Sequence, residues 1–266
     1  MGSKSSLGDR MKRYEQVPRT SLTPRTPMII RIDGRAFHTY TKNMQKPWDP
    51  VLRDALTAAA QELLREIAGA KLAYLQSDEI SVLVTDYDKL TSQAWFDKVA
   101  QKICSVSASI TTAVFNRGVL ETFLGRYDVR ELKGADGSLD TAMLPPPAHF
   151  DSRCFVVPRE DVTNYFVWRQ QDSTRNSVSA LAQSHFSHEE LQGKKWGQMQ
   201  ELLFQEKEIN WNDCETWQKR GWCVLRSTVE IEPGKMRVIV EPDLEVPVFS
   251  NYRAYIEKYL HLDTDA

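Results

Sequence analysis

The sequence predicts an α+β protein: a ferredoxin-like antiparallel sheet within residues 1–158, then a smaller, mainly helical region over 159–266 that ends in a hairpin. Three observations carry this. The first 158 residues alternate as strand, helix, strand, strand, helix, strand, which is the split β-α-β pattern. The texture changes after Pro158 to longer segments of helical spacing. And the apolar, strand-like stretch "AYLQSDEISVLV" carries Ser77, Asp78 and Glu79 in its middle, where a turn between two strands belongs.

The elements follow in order. "PMIIRID", rich in β-branched residues, reads as a strand from about Met28 to Asp33. A loop with Lys42, Asn43, Lys46 and Pro47 comes next. From Asp49 and Pro50, a natural helix start, Leu52, Leu56, Ala59, Leu63 and Ile67 recur at helical spacing, and Gly69 closes the helix. "KLAYLQ" and "ISVLVT" are two strands joined by the Ser-Asp-Glu turn. Thr91 or Ser92 is the expected cap of a second helix, with Phe96, Val99, Ile103, Val106, Ile110 and Val114 on one face. A Gly- and Pro-rich loop with "GADGS" and "LPPPA" leads to the strand "FDSRCFVVP". Beyond Pro158, "EDVTNYFVWRQQDSTRNSVSALAQSHF" reads as a helix with a possible break near Ser173, and "KKWGQMQELLFQEK" as another. "WCVLRSTVEIE" and "KMRVIVEPD" form a hairpin around Pro233-Gly234.

Composition narrows the function classes. At 266 residues, 41% hydrophobic and 26% charged, the chain is an ordinary globular one. It has no uninterrupted apolar run of bilayer length, and "MGSKSSLGDRMKRYE" lacks the apolar core of a signal peptide, so no membrane partner is expected. Cys104, Cys154, Cys214 and Cys223 are scattered without a C-x-x-C pair, which indicates neither a zinc site nor a disulfide framework and fits a reducing cytoplasm. His185 and His188 lack further ligands nearby and read as surface residues. A net charge of −2 argues against general nucleic-acid binding. Yet Lys4, Arg10, Lys12, Arg13, Arg19, Arg25 and Arg31 outnumber Asp9 and Glu15 in the first 31 residues. Such an arm suits a phosphate backbone, and a solvated tail explains it about as well.

In the predicted topology the first strand lies beside the hairpin strand, so Asp33 at its end and Asp78 at the hairpin tip converge on one end of the sheet. Two carboxylates there suit Mg²⁺, which takes hard oxygen ligands and is completed by water and substrate phosphates; two such ions clamp the oxygens of phosphoryl transfer. Gly34 lets the backbone approach a ligand and offers its carbonyl. Arg35, His38, Lys46, Lys98 and Lys102 are candidates for triphosphate contacts, the last two four apart on the second helix. Ordinary turn chemistry accounts for the same residues, and one stretch alone does not choose.

Four motifs in order do choose. "RIDGRAFHTYTKNMQKPWD", "YLQSDEISVL", "LPPPAHFDSRCFVVP" and "YFVWRQQD" resemble the tRNA-histidine guanylyltransferase family, which includes like-proteins that polymerise in the 3′→5′ direction. The resemblance implies a polymerase-type palm. It implies that Asp33 and Asp78 ligate two Mg²⁺ ions with help from the Gly34 carbonyl, and that Glu79 supports catalysis. Asp33, Gly34, Arg35, Ala36, Phe37, His38, Ser77 and Asp78 match the nucleotide-binding stretches, Lys46 the lysine before the loop proline, and Lys102 a basic residue facing triphosphate. ATP or GTP would activate a tRNA 5′ end, and the family's members imply a homo-oligomer, a tetramer. One departure bears on substrate. After "WRQQD" the guanylyltransferase branch has His-x-Asn-Asn; here stand Thr174, Arg175, Asn176 and Ser177, and only Asn176 fits. This points to the like-protein branch and template-dependent repair of tRNA 5′ ends, ahead of dedicated addition of G at position −1, or another palm enzyme such as a nucleotide cyclase. Arg13, Arg175 and Asn176 are candidate tRNA contacts, and Trp211, Trp217 and Trp222 candidates for base stacking, with core packing expected for at least two of the three.

Overall fold

The computed structural model describes residues 6–126, 144–232 and 234–260. Gly2, Lys4, the "GADGS" stretch and Pro233 lie outside the described residues. The chain forms α1 (Leu7–Gln16), β1 (Met28–Gly34), α2 (Phe37–Tyr40), α3 (Pro50–Glu66), β2 (Ala70–Gln76), β3 (Glu79–Val84), α4 (Ala100–Leu124), β4 (Phe150–Val156), α5 (Arg159–Gln183), α6 (His188–Leu191), α7 (Trp196–Lys207), α8 (Thr216–Arg220), β5 (Trp222–Glu232), β6 (Lys235–Asp243) and α9 (Ala254–Glu257). One antiparallel sheet runs β4-β1-β3-β2-β5-β6. Its first four strands have the order expected of the split β-α-β pattern.

Alternation along each strand serves two cores. Ile30, Ile32, Ala73, Leu75, Ile80 and Val82 point toward α3 and α4, where Leu56, Leu63, Ile103, Phe115 and Val119 meet them. Ile29, Leu72, Tyr74 and Leu83 point the other way, onto Val162, Tyr165 and Phe166 of α5 and the C-terminal Val246, Phe249 and Ile256. Each fully buried Ile or Leu contributes roughly 1.5–3 kcal/mol, so both helical layers fix the sheet. A third cluster, Leu181, Phe186, Leu191 and Leu203, binds the end of α5 to α6 and α7.

Helix α3 begins as its sequence dictates: the Asp49 side chain caps Val51 N–H at 2.8 Å. Elsewhere the structure differs from the sequence reading. Helix α4 starts at Ala100 rather than at Thr91 or Ser92; Phe96, Asp97 and Lys98 all have positive φ, which breaks any helix before it. Its buried stripe is Ile103, Ser107, Thr111, Phe115 and Val119. Two members are polar, but Ser107 and Thr111 hydroxyls donate to the carbonyls four residues back at 2.7 and 2.9 Å, so they pack as small core residues. The same composition makes α4 long and apolar enough to cross a membrane, contrary to the expectation of no such run, with 28% of its apolar window buried; it packs one face against β1, β4 and α3. Helix α5 is unbroken through Ser173. The terminal hairpin does not belong to a separate region after residue 158: Trp222–Leu225 of β5 pair with β2 and extend the main sheet. Beyond Leu225 the ribbon runs on into solvent. Cys104 and Cys154, far apart in sequence, meet with 3.6 Å between sulfurs, because α4 lies along β4.

Candidate active site

The site begins with a two-residue hairpin. β2 ends at Gln76 and β3 starts at Glu79, leaving Ser77 and Asp78 as the turn. Ser77 has φ 49°, the left-handed region that tight hairpins require and that strains a residue with a Cβ. The turn is tied to β1 by one bond: Gly34 N–H donates to the Asp78 carbonyl at 3.1 Å. That bond brings the neighbouring Asp33 to the hairpin tip. Gly34 is required for a packing reason. A Cβ there would lie 2.2 Å from the Phe37 ring, and Phe37 is held at 5.1 Å from Phe150 and 5.7 Å from Phe115.

Strand register sets a pattern of charge on the face toward α5. Asp33 stands opposite Glu79 on one side and Asp151 on the other; two residues back, Arg31 stands opposite Ser81 and Arg153. Arg31 Nη2 donates to Asp33 Oδ2 at 3.0 Å, and Arg153 Nη2 lies 3.7 Å from the same oxygen. Asp33 Oδ1 makes no hydrogen bond among the described residues. Glu79 is 5% exposed and fully engaged. Arg169 of α5 grips both its oxygens, Nε on Oε1 at 2.8 Å and Nη2 on Oε2 at 2.7 Å; the Ser81 hydroxyl donates to Oε1 at 3.1 Å; and Arg31 Nε lies 3.1 Å from Oε2. Asp78 is held above the usual carboxylate range, chiefly by burial, with repulsion from Asp33 and Glu79 adding and the Ser77 hydroxyl opposing. A buried acid repelled by its neighbours is a group that a cation would relieve.

Beside the turn lies a cavity of about 430 Å³ between the Lys46 loop, α5 and α8. Phe37, His38, Lys46, Ser77, Asp78 and Asn176 line it, as do Gln76, Ser173, Gln218, Trp217 and Trp222. Lys46 and His38 are exposed there. Of the expected stacking residues, Trp217 and Trp222 are buried, 6.1 Å apart edge to face, while the Trp211 ring N–H donates to Ser177.

Several candidates sit elsewhere. Lys98 precedes α4 and does not share its face with Lys102. It is 2% exposed, paired with Asp86 at 3.0 Å, and its ammonium donates to the carbonyls of Thr23 and Thr26. It fastens the N-terminal segment and has no free charge for a phosphate. Lys102 lies on the first turn of α4, near Cys104, which touches Cys154 opposite Ile30. That is the end of the sheet away from Asp33, on the order of 10–15 Å along the strand at 3.3 Å per residue. Arg35 and Ala36 are exposed just beyond β1, Ala36 with φ 55°. Arg175 is exposed beside Asp172, and Arg13 lies on α1, which buries no residue. Sequence reasoning missed Arg153, Asp151 and Arg169 as partners of the site, and counted Arg31 only with the basic arm. The signal for Arg31 was present, since residues two apart on a strand share a face; Arg169 is brought in by tertiary packing and left no local mark.

The family model described as tRNAHis guanylyltransferase matches residues 8–158. A bacterial tRNA(His) guanylyltransferase-like protein solved in complex with ATP is 45% identical, covering 97% of this chain and 100% of that one, with a TM-score of 0.82. A bacterial like-protein in complex with GTP is 43% identical, over 97% and 100% of the two chains, with a TM-score of 0.78. The tRNA(His) guanylyltransferase of Neurospora crassa is 28% identical over 89% of this chain and 78% of its own. The chain is thus a nucleotidyltransferase and belongs to the tRNA-His guanylyltransferase family.

Proposed function

We propose that this protein adds nucleotides to tRNA 5′ ends in the 3′→5′ direction, letting the opposing strand choose the base, with Mg²⁺ held by Asp33 and Asp78. The observation that carries the reading is the Gly34–Asp78 backbone bond, which draws the end of β1 with Asp33 to the turn whose Asp78 lines a nucleotide-sized cavity. The donor set fits the metal. Asp33 Oδ1, the Asp78 carboxylate and the Gly34 carbonyl are hard oxygens. Mg²⁺ keeps waters and takes substrate phosphates, so two carboxylates and one carbonyl would suffice to hold it. When bound, the metal polarises the phosphoryl group and lowers the pKa of an attacking hydroxyl.

The chain's own residues supply the rest. The buried Trp217 and Trp222 and the ring of Phe37 give the cavity apolar walls. Gln76, Asn176 and Gln218 each present a donor and an acceptor to it, so either purine edge finds partners. That is consistent with a relative binding ATP and another binding GTP. Lys46 and His38 offer positive charge and hydrogen-bond donors to a triphosphate. In the first stage a tRNA 5′-monophosphate oxygen attacks the α-phosphorus of ATP or GTP and pyrophosphate leaves. In the second the 3′-hydroxyl of the incoming nucleotide attacks the activated 5′-phosphorus, and the nucleoside monophosphate leaves. A 5′-triphosphate end skips the first stage.

Template dependence rests on α5. The cavity-lining turn carries Thr174, Arg175, Asn176 and Ser177, and of these only Asn176 keeps the pattern of the branch that adds G without a template. The test uses tRNAs lacking their first 5′ nucleotide, with all four opposing bases, and each NTP in turn. The expected product is the Watson–Crick partner in every case. Addition of G against all four bases, with other nucleotides refused, would overturn the template reading.

A further inference from the structure

We infer that Arg169 is a positioning residue for the Asp33 carboxylate, acting through Glu79 and Arg31, and that Glu79 is a clamp in this relay instead of a metal ligand or proton carrier. The proposal rests on the metal reading above and deepens it.

Glu79 has no coordination capacity to spare. Arg169 occupies both oxygens in a bidentate grip at 2.7 and 2.8 Å, the Ser81 hydroxyl adds a third hydrogen bond at 3.1 Å, and Arg31 stands 3.1 Å from Oε2. Ser81 is itself fixed by the Tyr165 hydroxyl at 2.8 Å. A carboxylate so surrounded cannot take up a cation without breaking a buried ion pair. Its geometry serves Arg31 instead. Arg31 sits between two acids, Nε facing Glu79 and Nη2 donating to Asp33 Oδ2 at 3.0 Å. The Nε contact is an ion pair without the alignment of a hydrogen bond, so charge rather than direction holds it. Remove Glu79, and Arg31 is released to neutralise Asp33, in competition with a metal ion. Keep it, and Arg31 is shared: it orients Asp33 by one oxygen and leaves Oδ1 free.

Arg169 sets where Glu79 stands. It is 6% exposed, its guanidinium lies 4.5 Å from the Trp168 ring centroid, and the Nη2 that bonds Glu79 also donates to Asp172 at 3.1 Å. It lies on α5 one turn before Ser173, which lines the cavity. The relay therefore runs from the helix that faces the substrate to the oxygen that would face the metal. Outer partners that orient a ligand typically change metal affinity 10–100-fold when lost.

The test titrates Mn²⁺, read by electron paramagnetic resonance, onto the whole protein with an α,β-methylene ATP analogue; no turnover is involved. Arg169→Met keeps the stem and removes the grip, and is expected to weaken Mn²⁺ binding 10–100-fold. Arg169→Lys, which keeps the charge without the fork, should fall between it and the wild type. Arg31→Met combined with Arg169→Met should cost no more than the larger single effect, because both lie on one path. Wild-type Mn²⁺ affinity in Arg169→Met, or simple addition of the two effects, overturns the relay and leaves Arg169 as structural support alone. Should Arg169→Met fail to fold, Arg169→Lys and Glu79→Gln are judged by the same affinity criterion. Asp33→Ala and Asp78→Ala are the control: if they bind Mn²⁺ like the wild type, the metal reading itself falls, whatever Arg169 does.

Discussion

Asp78 pays most visibly for the site's readiness. Burial and the neighbouring Asp33 and Glu79 hold its carboxyl above the ordinary range. An acid whose pKa is raised by folding stabilises the fold below its unfolded value, about 3.9, and that contribution is lost as pH rises through the folded value. At neutral pH the ionised side chain therefore works against the metal-free fold. Asp78→Asn should raise the melting temperature of the EDTA-treated protein at pH 7, flatten its dependence on pH through the acid range, and abolish the rise that Mg²⁺ with ATP gives the wild type. A lower melting temperature for the variant at pH 7 would contradict this account of the site's electrostatics. Gly34 makes a second prediction at this scale. A Cβ 2.2 Å from the Phe37 ring must push Phe37 off Phe115 and Phe150, so Gly34→Ala should lower stability by ~1–3 kcal/mol and disturb the cavity wall. Chemical denaturation measures the first, and the affinity for ATP the second. Asp33→Ala removes a proposed metal ligand without such a clash. It should leave the fold intact and abolish nucleotide addition, even to a 5′-triphosphate tRNA.

Elements were legible where one local signal set them. Asp49, Pro50 and the spacing of Leu56, Ala59 and Leu63 define α3, and its cap and buried face follow. β-branched runs define β1 and β3, the apolar "KLAYLQ" defines β2, and their register, with the Ser77–Asp78 turn, places Asp33 beside Asp78. What was not legible depended on tertiary context. A stripe of Ser107 and Thr111 does not read as a core face, yet close packing against β4 makes it one, with Ser107 Oγ 2.8 Å from Ser152 Oγ. Nor does sequence reveal that three successive residues before α4 turn to positive φ, which rotates Lys98 inward. Its burial opposite Asp86 gives a direct check on its reassignment. Lys98→Met leaves Asp86 buried without its cation and should cost ~3–5 kcal/mol of stability. The fraction that stays folded should bind ATP with unchanged affinity. A loss of ATP affinity without loss of stability would return Lys98 to the nucleotide site.

Over the whole molecule, charge is divided rather than absent. The net value of −2 hides an excess of base at the N-terminus, and the fold keeps that excess apart from the core. Helix α1 is closed by a capping box of Ser6 and Asp9, yet it buries no residue, and Leu7 and Tyr14 are each 66% exposed. Asp33 and Glu79 are already answered by Arg31, Arg153 and Arg169, so the sheet end repels a polyanion less than its carboxylates alone would. A tRNA backbone thus meets a partly neutralised site with a basic helix elsewhere on the same chain. Removing residues 1–16 takes away Lys4, Arg10, Lys12 and Arg13 against Asp9 and Glu15. Because α1 contributes nothing to the described core, the melting temperature should barely change. If the arm holds phosphates, the slope of log affinity for tRNA against log salt should become shallower by about 0.7–0.9 for each phosphate that the shortened chain no longer neutralises, while the affinity for ATP stays the same. An unchanged slope would make the arm a solvated tail. A shallower slope with a weakened affinity for ATP would mean that the helix serves the site itself and not the RNA backbone alone.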